Sequence, residues 1–317
     1  MNKFLKKSVI FSIPFISIIF ITFIIDPYNY FRNTKQNEYK NRIAFIPDRG
    51  RRTYLISYKN FPKPNVILGY SQADIIQISN IPESNWCKLT FGGADTWEVI
   101  ESFEIISKNP KLKKVIIDLN SFNYIRSCST PYVKTFSRSY KAIELLDHPM
   151  LYLIDPVVAE STLSYLKFIL INDTTYLKKG KPIETRERFW DSQIKLGEDV
   201  FKSNYEVSRK KLKESLYKIK EYCDYKNIEI VVFSSSMNIE LQEIAKEFKL
   251  KVFLPDIIEI FEEIQDFAYP NAYTKNKENF GDPFHVTSDS VYINTLWKND
   301  TTYCRIVTKD NINDIVN

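Results

Sequence analysis

Histidine is almost missing: the 317-residue chain has two, His148 and His285. A histidine-rich metal site is thereby excluded, and any imidazole chemistry has to use one of that pair. Glycine is nearly as scarce, with seven residues, which rules out collagen-like and glycine-rich low-complexity chains. Cys87, Cys128, Cys223 and Cys304 are the only cysteines. They lack the C-x₂₋₄-C pairs of structural zinc sites, so neither a metal nor any other cofactor is expected. In an oxidising compartment they allow three pairings that spacing does not separate; as free thiols they would serve as small core residues. No repeat of solenoid length and no long Pro/Ser/Gly linker divides the chain. Lys and Arg number 44 against 39 acidic residues, a formal charge of +5, and Lys3, Lys6 and Lys7 supply three of those charges. So small and local an excess does not point to a nucleic acid as partner. With 44% apolar and 15% aromatic residues, the chain can bury a full core and is not disordered as a whole.

What is present begins with Ser8–Ile25, SVIFSIPFISIIFITFII, which carries no charge before Asp26. That is the lower edge of a membrane span. Lysines stay on the cytoplasmic side, so the chain after Asp26 is expected outside the cytoplasm, in the periplasm or at the cell surface. The A-x-A arrangement needed by a signal peptidase does not follow the run, which favours an uncleaved anchor. Pro14 is tolerable in lipid. Tyr28, Tyr30 and Phe31 are read either as an aromatic belt at the headgroups or as the first packing residues of the following domain. The expected organisation is a membrane anchor and interface segment over 1–32 and an extracytoplasmic domain over 33–317, with a helical insertion at about 126–226.

Residues 33–62 are polar and basic, with Arg49, Arg51 and Arg52 around Gly50, and read as a connector or an irregular first element with a solvated charge run. Beyond them the pattern becomes regular. Asn65–Gly69 and Lys114–Asp118 are short apolar runs of the kind that form buried parallel strands. Trp86–Phe91 ends at Gly92-Gly93, and Thr96 is placed to cap a helix that stops at Asn109-Pro110. Ile228–Phe233 enters a Ser-Ser-Ser turn, a helix follows over about 240–249, and Lys251–Leu254 reads as a fifth strand. Strands alternating with helices imply a parallel sheet covered on both faces. The insertion is expected to hold helices at about 138–147 and 155–170, an irregular stretch over 172–188, and a long amphipathic helix over about 198–226.

Open α/β sheets bind ligands at the C-terminal ends of their strands. Those ends deliver Gly69-Tyr70-Ser71, Gly92-Gly93-Ala94-Asp95 and Asp118-Leu119-Asn120, and Gly281-Asp282-Pro283-Phe284-His285 follows the fifth strand. Acyl transfer needs such parts: a hydroxyl activated by a base, an acceptor that fixes the base's tautomer, and preorganised donors for the oxyanion. One turn of chain can bring the Asp282 carboxylate to Nδ1 of His285, leaving Nε2 to serve Ser71. The amides of Ser71 and Gly93 and the side chain of Asn120 are the oxyanion candidates, with Asn123 next. His148, before Pro149, reads as structural or interfacial.

On these blocks the chain resembles the SGNH hydrolase-like superfamily. It is most similar to membrane-anchored DltD-like members and to partners of membrane-bound O-acyltransferases. The likeness runs from Asp26-Pro27-Tyr28 through Leu68–Ser71, Thr90–Ala94 and Ile116–Asn120 to Asp282–His285. It implies a flavodoxin-like three-layer sandwich with a mostly parallel central sheet, preceded by one transmembrane helix. It further implies Ser71 as nucleophile, His285 as base, Asp282 as its orienter and Gly93 as a backbone oxyanion donor. Tyr70 stands where ordinary members have Asp, Gln72 where anchored members often have a basic residue, and the third block lacks Gly-x-Asn-Asp. The implied function is transfer or removal of a small acyl group, acetyl or alanyl, on a cell-envelope or exported polysaccharide, with the glycan or acyl donor as substrate. A multi-span O-acyltransferase is the implied partner. The alternative is a non-catalytic accessory protein that positions the glycan for such an enzyme.

Overall fold

Six strands form one sheet: β1 (Asn65–Tyr70), β2 (Trp86–Phe91), β3 (Lys114–Asp118), β4 (Glu229–Ser234), β5 (Glu263–Asp266) and β8 (Arg305–Thr308), while β6 (Phe280–Asp282) and β7 (His285–Val286) make a separate hairpin. The order is β2-β1-β3-β4-β5-β8, parallel throughout except for β8, which runs antiparallel to β5. The first five positions give the doubly wound, flavodoxin-like order. The computed structural model describes residues 3–31, 51–133, 147–171 and 185–316. The expected helix over 138–147, Arg49-Gly50 and most of the 172–188 stretch therefore lie outside the described residues.

Among the described residues the α-helices of six residues or more are, in chain order, α1 (Lys3–Ile25), α2 (Arg51–Asn60), α3 (Thr96–Ile106), α4 (Ser121–Ser129), α5 (Pro149–Ile154), α6 (Pro156–Ile171), α7 (Arg186–Phe201), α8 (Arg209–Lys226), α9 (Ile239–Phe248), α10 (Leu254–Phe261) and α11 (Ser290–Lys298). Two compact units result: Met1–Pro62 with Arg138–Pro182, and Lys63–Ser137 with Ile183–Asn317. The insertion at about 126–226 thus contributes to both.

In the larger unit α3, α8 and α10 pack on β1, β4 and β5. The opposite face of the sheet, with Ile67, Ile116 and Phe233, packs under Val291 and Tyr292 of α11 and Trp190 of α7. Strands β1 and β3 are buried from their second residue onward, as continuous apolar runs between two helical layers must be. Asp95, not Thr96, caps α3: its carboxylate accepts the amide of Glu98 at 3.0 Å, and Glu98 returns the bond to the Asp95 amide at 3.3 Å.

Three expected elements differ. Lys251–Leu254 is not a strand; a π turn over Lys249–Phe253 leads straight into α10, and the fifth strand is Glu263–Asp266. A short apolar run cannot be told from a buried helix by periodicity, and Pro255 in the first turn of α10 suits a helix start. The long helix over 198–226 is two helices, α7 and α8, separated at residues 202–208. Within the stretch read as a connector, Arg51–Asn60 is helical. All four cysteines are free, and burial pushes each thiol up to about 12. They therefore stay protonated and unreactive at neutral pH.

In the smaller unit α1, α5 and α6 pack on one another. The end of α1 is closed by Asp26, which sits at φ 45° fully buried. Its carboxylate accepts the amides of Tyr30 (2.8 Å) and Phe31 (2.9 Å) and the Tyr152 hydroxyl (2.8 Å), and Tyr28 Oη pairs with Ser161 Oγ at 2.9 Å. Tyr28 and Tyr30 are thus packing residues, whereas Phe31 is exposed. No helix among the described residues is long and apolar enough to cross a membrane; the unbroken stretch of α1 with described side chains starts only at Ile10.

Gly69 sets how closely β1 approaches β3: a Cβ there would lie 2.8 Å from Asp118 Cβ and 3.0 Å from Ala73 Cβ. Both neighbours are buried backbone-proximal atoms that cannot swing aside. Gly69→Ala is expected to cost about 1–3 kcal/mol, read as a lower urea midpoint with an unchanged slope.

Candidate active site

The register pairs Tyr70 with Phe91, so the turns that follow β1 and β2 emerge side by side. Ser71 and Gly92-Gly93 thus share one end of the sheet, at the strand from which the connections diverge, where such folds hold ligands. Gly93 takes φ 65°, a conformation that glycine adopts without strain.

The β6–β7 hairpin brings the other half. Its two-residue turn, Pro283-Phe284, pairs Asp282 with His285, so a tight β connection and not a helical turn joins them. Asp282 Oδ1 accepts the amides of Phe284 (2.8 Å) and His285 (3.1 Å). Both carboxylate oxygens also stand 2.8 Å from Nδ1 of His285. Nε2 of the same ring is 2.8 Å from Ser71 Oγ. With the Nδ1 proton donated to Asp282, the neutral imidazole keeps Nε2 as the acceptor for the serine hydroxyl. Asp282 is buried while the His285 side chain is 38% exposed, so the pair is desolvated on the carboxylate side and open on the substrate side. Phe284 packs on Phe122 of α4 with ring centroids 4.5 Å apart, and Asn238 donates its amide to the Pro283 carbonyl at 2.9 Å. The hairpin is held from both flanks.

The serine turn has its own fastenings. Lys88 of β2 binds the Asp74 carboxylate at 2.9 Å and the Ile76 carbonyl at 3.2 Å, and it also reaches the Asp74 carbonyl. Thr90 donates to Asp74 at 2.8 Å. Further on, Asp289 Oδ2 accepts the Gln77 amide (3.0 Å) and the Asn80 side-chain amide (2.9 Å). The segment after Ser71 is thereby tied to the segment after His285. Lys88 left a trace in the sequence, as a cation inside an otherwise apolar strand that must find partners; Asp289 left none.

Asn120 and Asn123 stand elsewhere in function. Asn120 is fully buried, its Oδ1 caps α4 by accepting the Asn123 amide at 2.9 Å, and its Nδ2 donates to Ser235 Oγ at 3.2 Å. Asn123 Nδ2 donates to Asn120 Oδ1 at 3.2 Å. The Nδ2 groups expected in the oxyanion hole thus point inward, that of Asn120 to Ser235 just after β4 and that of Asn123 to Asn120, while Asn120 Oδ1 serves the helix N-terminus. The structure gathers Ser71, His285 and Asp282, sets the Gly93 turn beside the serine turn, and directs Asn120 inward. His148 starts α5 in the smaller unit, exposed, with its carbonyl accepting the Leu151 amide at 2.9 Å.

Beneath this end of the sheet lies Asp118, fully buried against Gly69. Oδ1 accepts the Ser235 amide at 3.1 Å, whereas Oδ2 has no hydrogen-bond partner. Burial raises its pKa from 3.8 to about 7. An acid whose folded value exceeds its unfolded one favours folding fully below the unfolded value, and that contribution is lost as pH rises through the folded value. Stability should therefore fall from pH 5 to pH 8 by about 2–3 kcal/mol more in the native chain than in Asp118→Asn. Urea titrations of both proteins at the two pH values measure this; equal pH slopes would contradict it.

No protein-family model matches the chain, and no curated protein matches it; any functional assignment has to stand on the geometry of Ser71, His285 and Asp282.

Proposed function

We propose that the chain is a serine acyltransferase or esterase of SGNH type, anchored in a membrane by α1 and acting outside the cytoplasm on a cell-envelope or exported polysaccharide. One observation carries the reading: a hydroxyl, an imidazole and a carboxylate stand in hydrogen-bonded sequence at 2.8 Å each, across 214 positions of chain. Surface serines and histidines have no structural reason to meet so, and the carboxylate is buried where it can only serve the ring and its own turn.

The chemistry then runs as follows. Ser71 Oγ bonds to the acyl carbon as its proton passes to Nε2 of His285, and Asp282 stabilises the imidazolium. The backbone amides at the Ser71 and Gly93 turns are the proposed donors to the oxyanion. Collapse breaks the bond to the leaving oxygen, which takes the proton from Nε2, and the acyl group remains as an ester on Ser71. Water or a sugar hydroxyl repeats the steps in reverse, giving hydrolysis or transfer. The anchor is supported by the charge-free run Ser8–Ile25 behind three lysines and by the outward exposure of Phe11, Phe15 and Phe20 along α1. An acyl donor brought across by a multi-span O-acyltransferase completes the proposal. The accessory, non-catalytic reading draws on one observation, the inward commitment of Asn120, which removes a side-chain donor from the site.

A fluorophosphonate should label the purified protein at Ser71. Ser71→Ala should abolish labelling, and His285→Ala should slow it by about 100-fold or more. In cells, Ser71→Ala should lower acylation of the envelope polysaccharide to the level of a deletion strain while the protein remains folded. Failure of the native protein to label would leave the accessory reading standing.

A further inference from the structure

The smaller unit buries Tyr28, Leu55, Tyr152 and Leu153 in the ordinary way, but α1 and α6 bury little of their apolar surface. Where α1 meets its neighbours the buried residue is Thr22, and on α6 the buried residues are Val158, Ser161 and Thr162. The same helices turn Phe20, Phe23, Leu163 and Ile169 outward. In water such a pattern is unfavourable on both sides, since apolar area stays wet while hydroxyls are buried. In lipid it is the ordinary arrangement: small and hydroxyl-bearing residues let helices approach, and large apolar side chains face the acyl chains.

The end of α6 decides what covers it. Ile169, Leu170 and Ile171 are consecutive, and the latter two are 75% and 70% exposed. Successive helical residues point about 100° apart, so these three cover most of the circumference. A protein groove would cover one face only; a bilayer surrounds the helix. No acidic residue occurs between Glu160 and Ile171, and the one cation there, Lys167, is exposed with a stem long enough to carry its charge to the headgroups. At 16 residues α6 is about 24 Å long, too short to cross a hydrocarbon core of about 30 Å.

We infer that Leu163–Ile171 of α6 is immersed in the membrane beside α1, so that this unit is seated in the bilayer by the proposed anchor and by a second, partly inserted helix. The inference rests on the proposed anchoring of α1, and the following experiment separates the two. The full-length protein is reconstituted in phosphatidylethanolamine–phosphatidylglycerol vesicles containing a phospholipid that bears a photoactivatable diazirine on its acyl chain, irradiated, and mapped by peptide mass spectrometry. Adducts are expected on both α1 and residues 163–171, each at least about tenfold above the peptide carrying Tyr225, which is 78% exposed in the larger unit. Leu170→Asp with Ile171→Asp should cut the α6 adducts about tenfold and leave those on α1 unchanged. Adducts on α1 alone would overturn the inference and spare the anchor. Adducts on neither helix, or on α6 alone, would overturn the anchor and with it the paired seating.

Discussion

One carboxylate, that of Asp282, both folds the hairpin and orients the His285 ring. Its Oδ1 collects the two amides that close the Pro283-Phe284 turn, and both of its oxygens hold Nδ1 of His285. A buried carboxylate is costly unless each lone pair is used. The turn therefore forms only with the charge satisfied, and the charge is satisfied only with the ring in place. The imidazole is left with few degrees of freedom, and Nε2 has one direction to face. Orientation of this kind is worth more to acyl transfer than a generic histidine near a serine, because the entropy of alignment is met during folding.

The opposite partner is positioned by a different constraint. Gly69 lets β1 lie against Asp118, and Lys88, Thr90 and Asp289 then clamp the chain that leaves Ser71. Farther along the sheet, Lys249 and Arg305 both bind the fully buried Asp266, at 2.7 and 2.8 Å. That triad binds the π turn to β5 and the edge strand β8, and it explains why the chain around Lys251 is helical. A strand there would carry Lys249 away from Asp266, the buried anion that neutralises it. Removing one member of such a set leaves an uncompensated buried charge, which makes the arrangement specific even where its net stabilisation is small.

Strands β1 to β4 were legible because each is an apolar run that ends in glycine, a turn or a polar cluster, the mark of a strand buried on both faces. β5 and β8, EIQD and RIVT, were not. They are short and at or next to the edge, and their polar residues are neutralised by partners distant in sequence. The same limit applies to the site. Ser71, Asp282 and His285 are visible as blocks because each block is local. The oxyanion side is not, since Asn120 looks alike whether it faces a substrate or caps the next helix; only the close approach of Ser235 decides it. The break between α7 and α8 was hidden for a related reason, as apolar spacing continues through Tyr205 although the helix does not.

The helices of the two units bury different kinds of residue. In the larger one the burial rule is the aqueous one, with Ile67, Ile116 and Phe233 inside and lysines of α8 outside. In the smaller one α1 and α6 bury Thr22 and Ser161 and turn Phe20, Phe23 and Leu163 outward, while Tyr28, Tyr152 and Leu153 are buried. Between the apolar helix and the rest of its unit stands Asp26, buried and fully engaged by Tyr30, Phe31 and Tyr152. Its partners fold back around it, so the charge is satisfied where the apolar run of α1 ends. A helix end closed in this way ties α1 to α5 through Tyr152 and to α6 through the Tyr28–Ser161 pair, so one buried carboxylate and one hydroxyl pair fix how the three helices of this unit meet.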